Sequence, residues 1–158
     1  MENNCIEEYP SSHNYKSVNF SYNNQKYEIN VSLYSNAVMI FICYNAKLAN
    51  MYELNIDLEE EQEKNVYNDL IGEENEVKDI DIAECILGKR GNERFNFMAN
   101  FIISYIKDII LKINNKINKI CLSLNLDEEL TKNLDNNSKE FLDIVKDNIN
   151  KIFSINKK

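Results

Sequence analysis

Residues 15–58 show a repeating alternation of apolar and polar side chains. In the stretch 26–34, Tyr27, Ile29, Val31 and Leu33 share one face, and the residues between them are polar. A period of two is typical of a strand with one buried face. The alternation predicts strands near 16–22, 26–35, 37–44 and 50–58, with a hairpin turn at 23–25. Because the connections are short, we expect these four strands to form an antiparallel meander.

The run 37–44 differs from its neighbours because it is apolar on both faces. This pattern favours a central strand that is covered on both sides. The acidic stretch 59–79 then interrupts the alternation, with two glutamate-rich segments around a small apolar island. Two interpretations stay open for it: a solvated acidic loop with one helical turn, or a docking strip for a basic partner.

The second half of the chain mixes both periods. A fifth strand is predicted near 79–87, with Ile80, Ile82 and Ile86 on one face. The period then changes to 3.6 and predicts a helix near 92–114, whose polar side carries Asn96, Asn100 and Lys107 among others. A strict alternation predicts a sixth strand near 118–126, and a second amphipathic helix is predicted near 138–154.

The predicted fold class is α+β, with a single six-stranded, mostly antiparallel sheet, two helices and the order β-β-β-β-β-α-β-α. We expect a flexible leader over 1–14, which is polar and contains Pro10. The rest, 15–158, is predicted to be a single domain with the acidic insertion at about 59–79.

Composition restricts the function more than the fold. The chain has 158 residues and a formal net charge of −8. An acidic chain is repelled by phosphate backbones and anionic lipid, so we expect neither nucleic acid nor a membrane as partner. The longest apolar run is far shorter than the roughly 18 residues that a membrane span needs. The first eight residues are acidic, unlike a targeting signal, and we expect the protein in the cytoplasm, with the nucleus as a second location.

Residues suited to catalysis are scarce. The chain has one histidine, three glycines and four cysteines. We expect no catalytic residue, no metal site and no cofactor. The cysteines form no Cys-x-x-Cys pair, so Cys43, Cys85 and Cys121 are predicted to be free, mostly buried thiols. A nucleophilic cysteine would need a histidine partner, and His13 lies in the predicted leader.

The junction between the fifth strand and the first long helix holds the candidate binding residues. Gly88-Lys89-Arg90-Gly91 is similar to a phosphate loop but lacks the Gly-Lys-Ser/Thr ending of a Walker motif, so a turn closed by glycines is the other interpretation. Arg90 and Arg94 are the chain's two arginines. Arginine is favoured at interface hot spots. We therefore predict a partner-binding corner made of Lys89, Arg90 and Arg94, with two ordinary surface charges as the alternative.

Two stretches of the chain resemble the family of proteasome assembly chaperones 3 and 4. The first, 33–54, contains a strand that leads into the apolar run 37–44, a short polar turn and another strand. The second, 80–126, contains a strand that ends Ile86-Leu87-Gly88, a long helix, and a strand that reads Lys-Ile-Cys-Leu-Ser-Leu-Asn-Leu over 119–126. The family has a similar Leu-Leu-Gly strand end and a similar strand of the form Lys-x-Val-x-Val-Ser-Tyr-Asn-Leu.

The resemblance implies a non-catalytic role. It implies that the protein pairs with a sister protein similar to proteasome assembly chaperone 3 and holds alpha-type subunits while the alpha ring of the 20S proteasome forms. Alone, we expect a homodimer, because an exposed sheet edge and an uncovered sheet face favour association.

A trafficking or signalling adaptor of the longin or roadblock type is the alternative function. Such adaptors also combine one sheet, two helices and a dimer interface, but they place a helix among the early strands. A helix between residues 26 and 58 would therefore favour the adaptor. An enzyme with an unrecognised site is a further alternative.

Overall fold

The structure is a computed structural model that describes residues 6–8, 14–45, 50–63, 82–88, 93–132 and 136–154. The strands are β1 (Ile6–Glu8), β2 (Asn14–Tyr22), β3 (Gln25–Leu33), β4 (Ala37–Tyr44), β5 (Asn50–Asn55), β6 (Glu84–Leu87) and β7 (Lys119–Leu124). The helices are α1 (58–63), α2 (Glu93–Ile113), α3 (Glu128–Lys132) and α4 (Asn136–Ser154). The predicted α+β class, with a mostly antiparallel sheet and two long helices, is confirmed.

All the described strands belong to one sheet, in the order β1-β2-β3-β4-β7-β5-β6. Only the β4–β7 pair is parallel; the other neighbours are antiparallel. The predicted four-strand meander is therefore wrong in one respect: β2, β3 and β4 follow one another, but β7 inserts between β4 and β5. The sheet also has one strand more than the six predicted, because β1 pairs with β2 from within the stretch predicted as a leader.

The hairpin between β2 and β3 follows directly from the sequence. Asn23 and Asn24 form its two-residue loop, with φ angles of 50° and 59°. A loop of this length in which both residues have positive φ matches the right-handed twist of the strands, and asparagine tolerates that conformation. The turn fixes the register, in which Phe20 lies opposite Tyr27. The predicted turn is confirmed.

Both long helices pack on the same face of the sheet. On α4, the ring of Phe141 lies 6.0 Å from that of Phe20 and 5.0 Å from that of Tyr27. On α2, the Asn96 side chain accepts a hydrogen bond from Tyr52. The side chains of β4 that point toward the helices, at positions 38, 40 and 42, are completely buried. The hydrophobic core therefore lies between one sheet face and the two helices.

The fourth predicted strand is shorter than expected. The prediction was 50–58, but β5 ends at Asn55 and α1 begins at residue 58. The cause is Asp57, whose carboxylate accepts hydrogen bonds from the backbone N–H groups of Glu59 (3.0 Å) and Glu60 (3.2 Å). A side chain that satisfies the free N–H groups of a first turn starts a helix. In the described stretches 14–45 and 50–57, every regular element is a strand.

Lys107 is not exposed on the polar side of α2, as the sequence predicted, but is largely buried. Its side chain is only 10% exposed and forms an ion pair with Glu61 of α1. The pair attaches the start of the acidic stretch to the helix layer. The remaining part of that stretch, 64–79, lies outside the described residues.

Candidate protein-interaction surface

The structure describes one of the three residues of the predicted binding corner. Arg94 is exposed in the first turn of α2. Lys89 and Arg90 lie outside the described residues, as does Gly91, the last residue of the stretch 88–91 that is similar to a phosphate loop. The structure therefore places Arg94 at the surface of the junction between β6 and α2 and gives no geometry for the other two residues.

A buried polar chain fixes this junction. The Asn50 amide donates a hydrogen bond to the Tyr52 hydroxyl (3.3 Å), which in turn donates to the Asn96 side-chain oxygen (2.9 Å). The Tyr52 side chain is 1% exposed, and burial raises its pKa, so the hydroxyl keeps its proton and remains a donor. The chain ties β5 to the first turn of α2.

Gly88 ends β6 against Asn50. Its φ is +107°, and a Cβ atom at this position would lie 2.1 Å from the Asn50 side-chain oxygen. Only glycine combines this backbone conformation with such a close approach. Gly88, which begins the stretch similar to a phosphate loop, thus has a packing role.

Exposed apolar side chains lie on β6, just before it and near the start of α2. Ile82, Ile86, Leu87 and Phe97 are 83%, 41%, 63% and 45% exposed, and they are four of the six large hydrophobic residues exposed in the described part of the chain. The backbone beneath them is held in place, because the Asn100 side chain accepts a hydrogen bond from the N–H of Ala83 (2.9 Å). We call Ile82, Ile86, Leu87 and Phe97 the edge patch. The side chains of the edge patch are exposed to water on a backbone that is held in place, as in a protein contact surface.

The second surface is the sheet face opposite the long helices, which we call the open face. One row of side chains crosses it in register, from Asn30 on β3 through Phe41, Ser123 and Met51 to Leu87 on β6. A parallel row runs from Ser32 through Met39, Cys121 and Glu53 to Glu84. Phe41, Met39 and Met51 are partly exposed. The expectation that β4 is covered on both faces is therefore wrong within the described chain, since both long helices lie on the other face.

The described cysteines are free thiols, as predicted. Cys43 is buried, whereas Cys85 and Cys121 are only partly buried, so the expected burial holds for one of the three. Burial raises the pKa of the Cys43 thiol, and the nearby Glu28 carboxylate raises it further; burial and Glu53 do the same for Cys121. A thiol with a raised pKa stays protonated at neutral pH and is a poor nucleophile.

The described residues contain no group of three or more histidine, cysteine, aspartate or glutamate side chains that could hold a metal ion. His13 lies outside them. Among the helices of that part of the chain, none is long and apolar enough to cross a membrane.

Sequence reasoning missed the residues that build the junction. Asn96 and Asn100 were placed on the polar side of α2, where asparagines in an asparagine-rich chain carry no signal of their own. Their partners, Tyr52 and Ala83, lie 44 and 17 residues away in the chain. The edge patch was also missed, because the alternation of Ile82 and Ile86 does not reveal that β6 is the last described strand of the sheet.

The sequence matches no protein-family model and no curated protein. The fold has counterparts among solved structures. One is a chain of a chaperone complex for yeast 20S proteasome assembly, which aligns with a TM-score of 0.59 and 12% sequence identity. The alignment covers 88% of this chain and 98% of the yeast chain. This chain therefore has the fold of a subunit of that chaperone complex.

Proposed function

We propose that this protein is a non-catalytic assembly chaperone of the 20S proteasome. In this proposal it pairs with a sister chaperone and holds an alpha-type subunit while the alpha ring forms. The finer assignment is a role like that of proteasome assembly chaperone 4, with a sister similar to proteasome assembly chaperone 3. The observation that carries the proposal is the likeness in fold to the yeast chaperone-complex chain, which extends over nearly the full length of both chains.

The open face supports pairing with a sister of the same fold. Sheets that pack face to face interdigitate apolar side chains across about 10 Å. Phe41 and Met39 on β4 and Met51 on β5 supply such side chains to the open face, with β7 between the two strands, and polar residues such as Asn30 and Ser32 border them. An apolar centre with a polar border is the anatomy of a protein interface.

The order of the elements argues against the adaptor alternative. Longin- and roadblock-type adaptors place a helix among the early strands. Here β1 to β5 all precede the earliest described helix, α1, which begins at residue 58, the last position of the range 26–58. The raised pKa values of the Cys43 and Cys121 thiols also favour binding over nucleophilic chemistry.

Co-expression tests the proposal. The full chain, tagged at its C-terminus, is produced with the sister chaperone and the alpha-type subunits of the same organism, and the purified complexes are weighed by native mass spectrometry. We expect an equimolar complex with the sister that also retains an alpha-type subunit, and no binding to the mature 20S particle. Failure to retain the sister or any alpha-type subunit, or equal binding to the mature particle, contradicts the proposal.

A matched pair of variants locates the pairing surface. Phe41→Asp places a charge in the centre of the open face, and we expect it to lower retention of the sister at least tenfold, about 1.4 kcal/mol. Asn19→Asp places the same charge on an exposed position of β2 on the same face, away from the apolar centre, and should leave retention unchanged. Equal retention by both variants would move the pairing surface elsewhere.

A further inference from the structure

We propose that the β6 edge binds an extended peptide segment of a partner, which adds a strand to the sheet and presents a lysine or arginine to Glu84. The proposal adds a second surface to the proposed function, and its test does not depend on that function. It rests on three observations: the position of β6 in the sheet, the exposed apolar side chains on it, and a carboxylate without a counter-ion.

The first observation is the position of β6. It is the last of the described strands in the sheet order, and β5 is its one neighbour within the described part of the chain. An edge strand offers backbone N–H and C=O groups that an added strand can pair with. Edge strands are commonly protected by lysine or proline, and β6 has neither, since its sequence is Glu-Cys-Ile-Leu. β6 is short and bulged, which limits the length of an added strand, but neither lysine nor proline protects its edge.

The second observation is the apolar exposure around the strand. Ile82 and Leu87, on either side of Glu84, are 83% and 63% exposed. Leu87 lies opposite Met51 at the end of the row that crosses the open face from Asn30. An added strand would continue this row and cover both side chains. Backbone pairing would give affinity, and the apolar positions would give selectivity.

The third observation is the charge of the row that ends in Glu84. Glu84 lies directly opposite Glu53, and two like charges in this position repel each other. Glu53 is compensated by Lys119, whose Nζ atom lies 3.3 Å from its carboxylate. Glu84 is exposed, and no described residue forms an ion pair with it. A cation on the next strand outward would pair with Glu84 and offset its repulsion by Glu53.

These observations define the chemistry of the partner segment. On β5, the residues opposite Glu84 and Leu87 are Glu53 and Met51, two positions apart, because β6 has a bulge at this point. A regular added strand keeps this spacing. The segment therefore carries lysine or arginine at its centre and an apolar residue two positions away on each side, facing Leu87 and Ile82. A partner segment with a neutral or acidic residue at its centre would leave Glu84 without an ion-pair partner beside the Glu53 carboxylate.

The test uses two synthetic peptides and the full chain. Both peptides alternate threonine and valine and carry a dye; one has arginine at its centre with valine two positions away on each side, and the other has glutamate in place of the arginine. Binding is measured by fluorescence anisotropy. We expect the arginine peptide to bind at least tenfold more tightly than the glutamate peptide. Glu84→Lys should invert this preference, and Glu84→Gln should remove it.

Matched controls separate the edge from general charge effects. Asp147→Lys changes an exposed carboxylate on α4 in the same way and should leave the preference for the arginine peptide intact. Leu87→Asp should weaken both peptides, whereas Ile113→Asp, at a position 48% exposed on the last turn of α2, should not. Melting curves of all variants show whether each is folded.

Two results would overturn the proposal. One is equal binding of the two peptides to the folded wild-type chain, or a preference that Glu84→Lys does not change. The other is self-association: if neither peptide binds and Leu87→Asp converts a dimer of this chain to a monomer in sedimentation experiments, the edge is occupied by a second copy instead.

Discussion

The two faces of the sheet use the same strands in opposite ways. Along β4, Ile40 points into the helix layer and is completely buried, whereas its neighbours Met39 and Phe41 point to the open face and remain partly exposed. Apolar side chains that the helices already bury stabilise the folded chain and offer a partner no further surface to cover. The open face keeps apolar surface that a partner can still cover. The difference suggests that the two faces can be altered separately, one to change stability and the other to change binding.

The largest expected effect tests this separation within one strand. Ile40→Ala removes buried methyl and methylene groups and leaves a cavity, and we expect it to lower the free energy of unfolding by about 3–4 kcal/mol. Met39→Ala, one residue away, should cost only about 1 kcal/mol, because its side chain is flexible and partly in water. Urea denaturation of the two variants measures the contrast. Similar losses for both would mean that the open face contributes to folding as much as the covered face does.

A second prediction concerns a polar group on the covered face. Tyr27 is buried among aromatic rings, and its hydroxyl accepts a hydrogen bond from the backbone N–H of Asp127. Burial raises the pKa of Tyr27 to about 12. Between about pH 10 and 12 the unfolded chain loses this proton while the folded chain keeps it, so the free energy of unfolding falls with pH. Over this range the decrease due to Tyr27 approaches about 2–3 kcal/mol.

Tyr27→Phe isolates this contribution. At neutral pH the variant should be less stable by about 1 kcal/mol, because the Asp127 N–H loses its acceptor. In alkaline solution the difference should shrink, since the variant has no proton to lose at this position. Urea denaturation at a series of pH values from neutral to about 11 measures both curves. The control is Ile40→Val, which lowers stability without removing a titrating group. Its free energy of unfolding should depend on pH in parallel with that of the wild type. A difference between Tyr27→Phe and the wild type that stays constant with pH would contradict the prediction.

The sequence was most informative where local periodicity decides the structure. The period of two through Ile29 and Val31 and the period of 3.6 through Met98, Ile102 and Ile106 identified β3 and α2, and these residues are buried as expected. Ile113, which the same period places on the buried side of α2, is 48% exposed instead. The start of α1 could also have been predicted, because Asp57 followed three residues later by Glu60 is a helix-start signal.

The lateral order of the strands could not be predicted in the same way. Periodicity shows which face of a strand is buried but not which strand lies beside it, so the insertion of β7 between β4 and β5 left no local signal. For the same reason the sequence did not show that Ile82 and Ile86 belong to an edge. The burial of Lys107 depends on Glu61, which is 46 residues away in the chain. Arg94, one residue of the predicted binding corner, is exposed at the start of a helix, where the sequence places it.

The smallest expected effect on stability belongs to Arg94, which lies on neither sheet face. A positive charge in the first turn of a helix is slightly unfavourable, whereas Lys112 in the last turn of the same helix is slightly favourable. Arg94→Glu should therefore leave the free energy of unfolding unchanged within about 0.5 kcal/mol or raise it, and Lys112→Glu should lower it by a similar amount.

If the corner binds a partner, Arg94→Glu combined with Arg90→Glu should still weaken capture of the sister chaperone or an alpha-type subunit about tenfold, or 1.4 kcal/mol. Thermal melting and quantitative co-purification provide the two measurements. Normal capture of both partners by the double variant would assign the corner to ordinary surface charge, and a large loss of stability in Arg94→Glu would show instead that the arginine supports the fold.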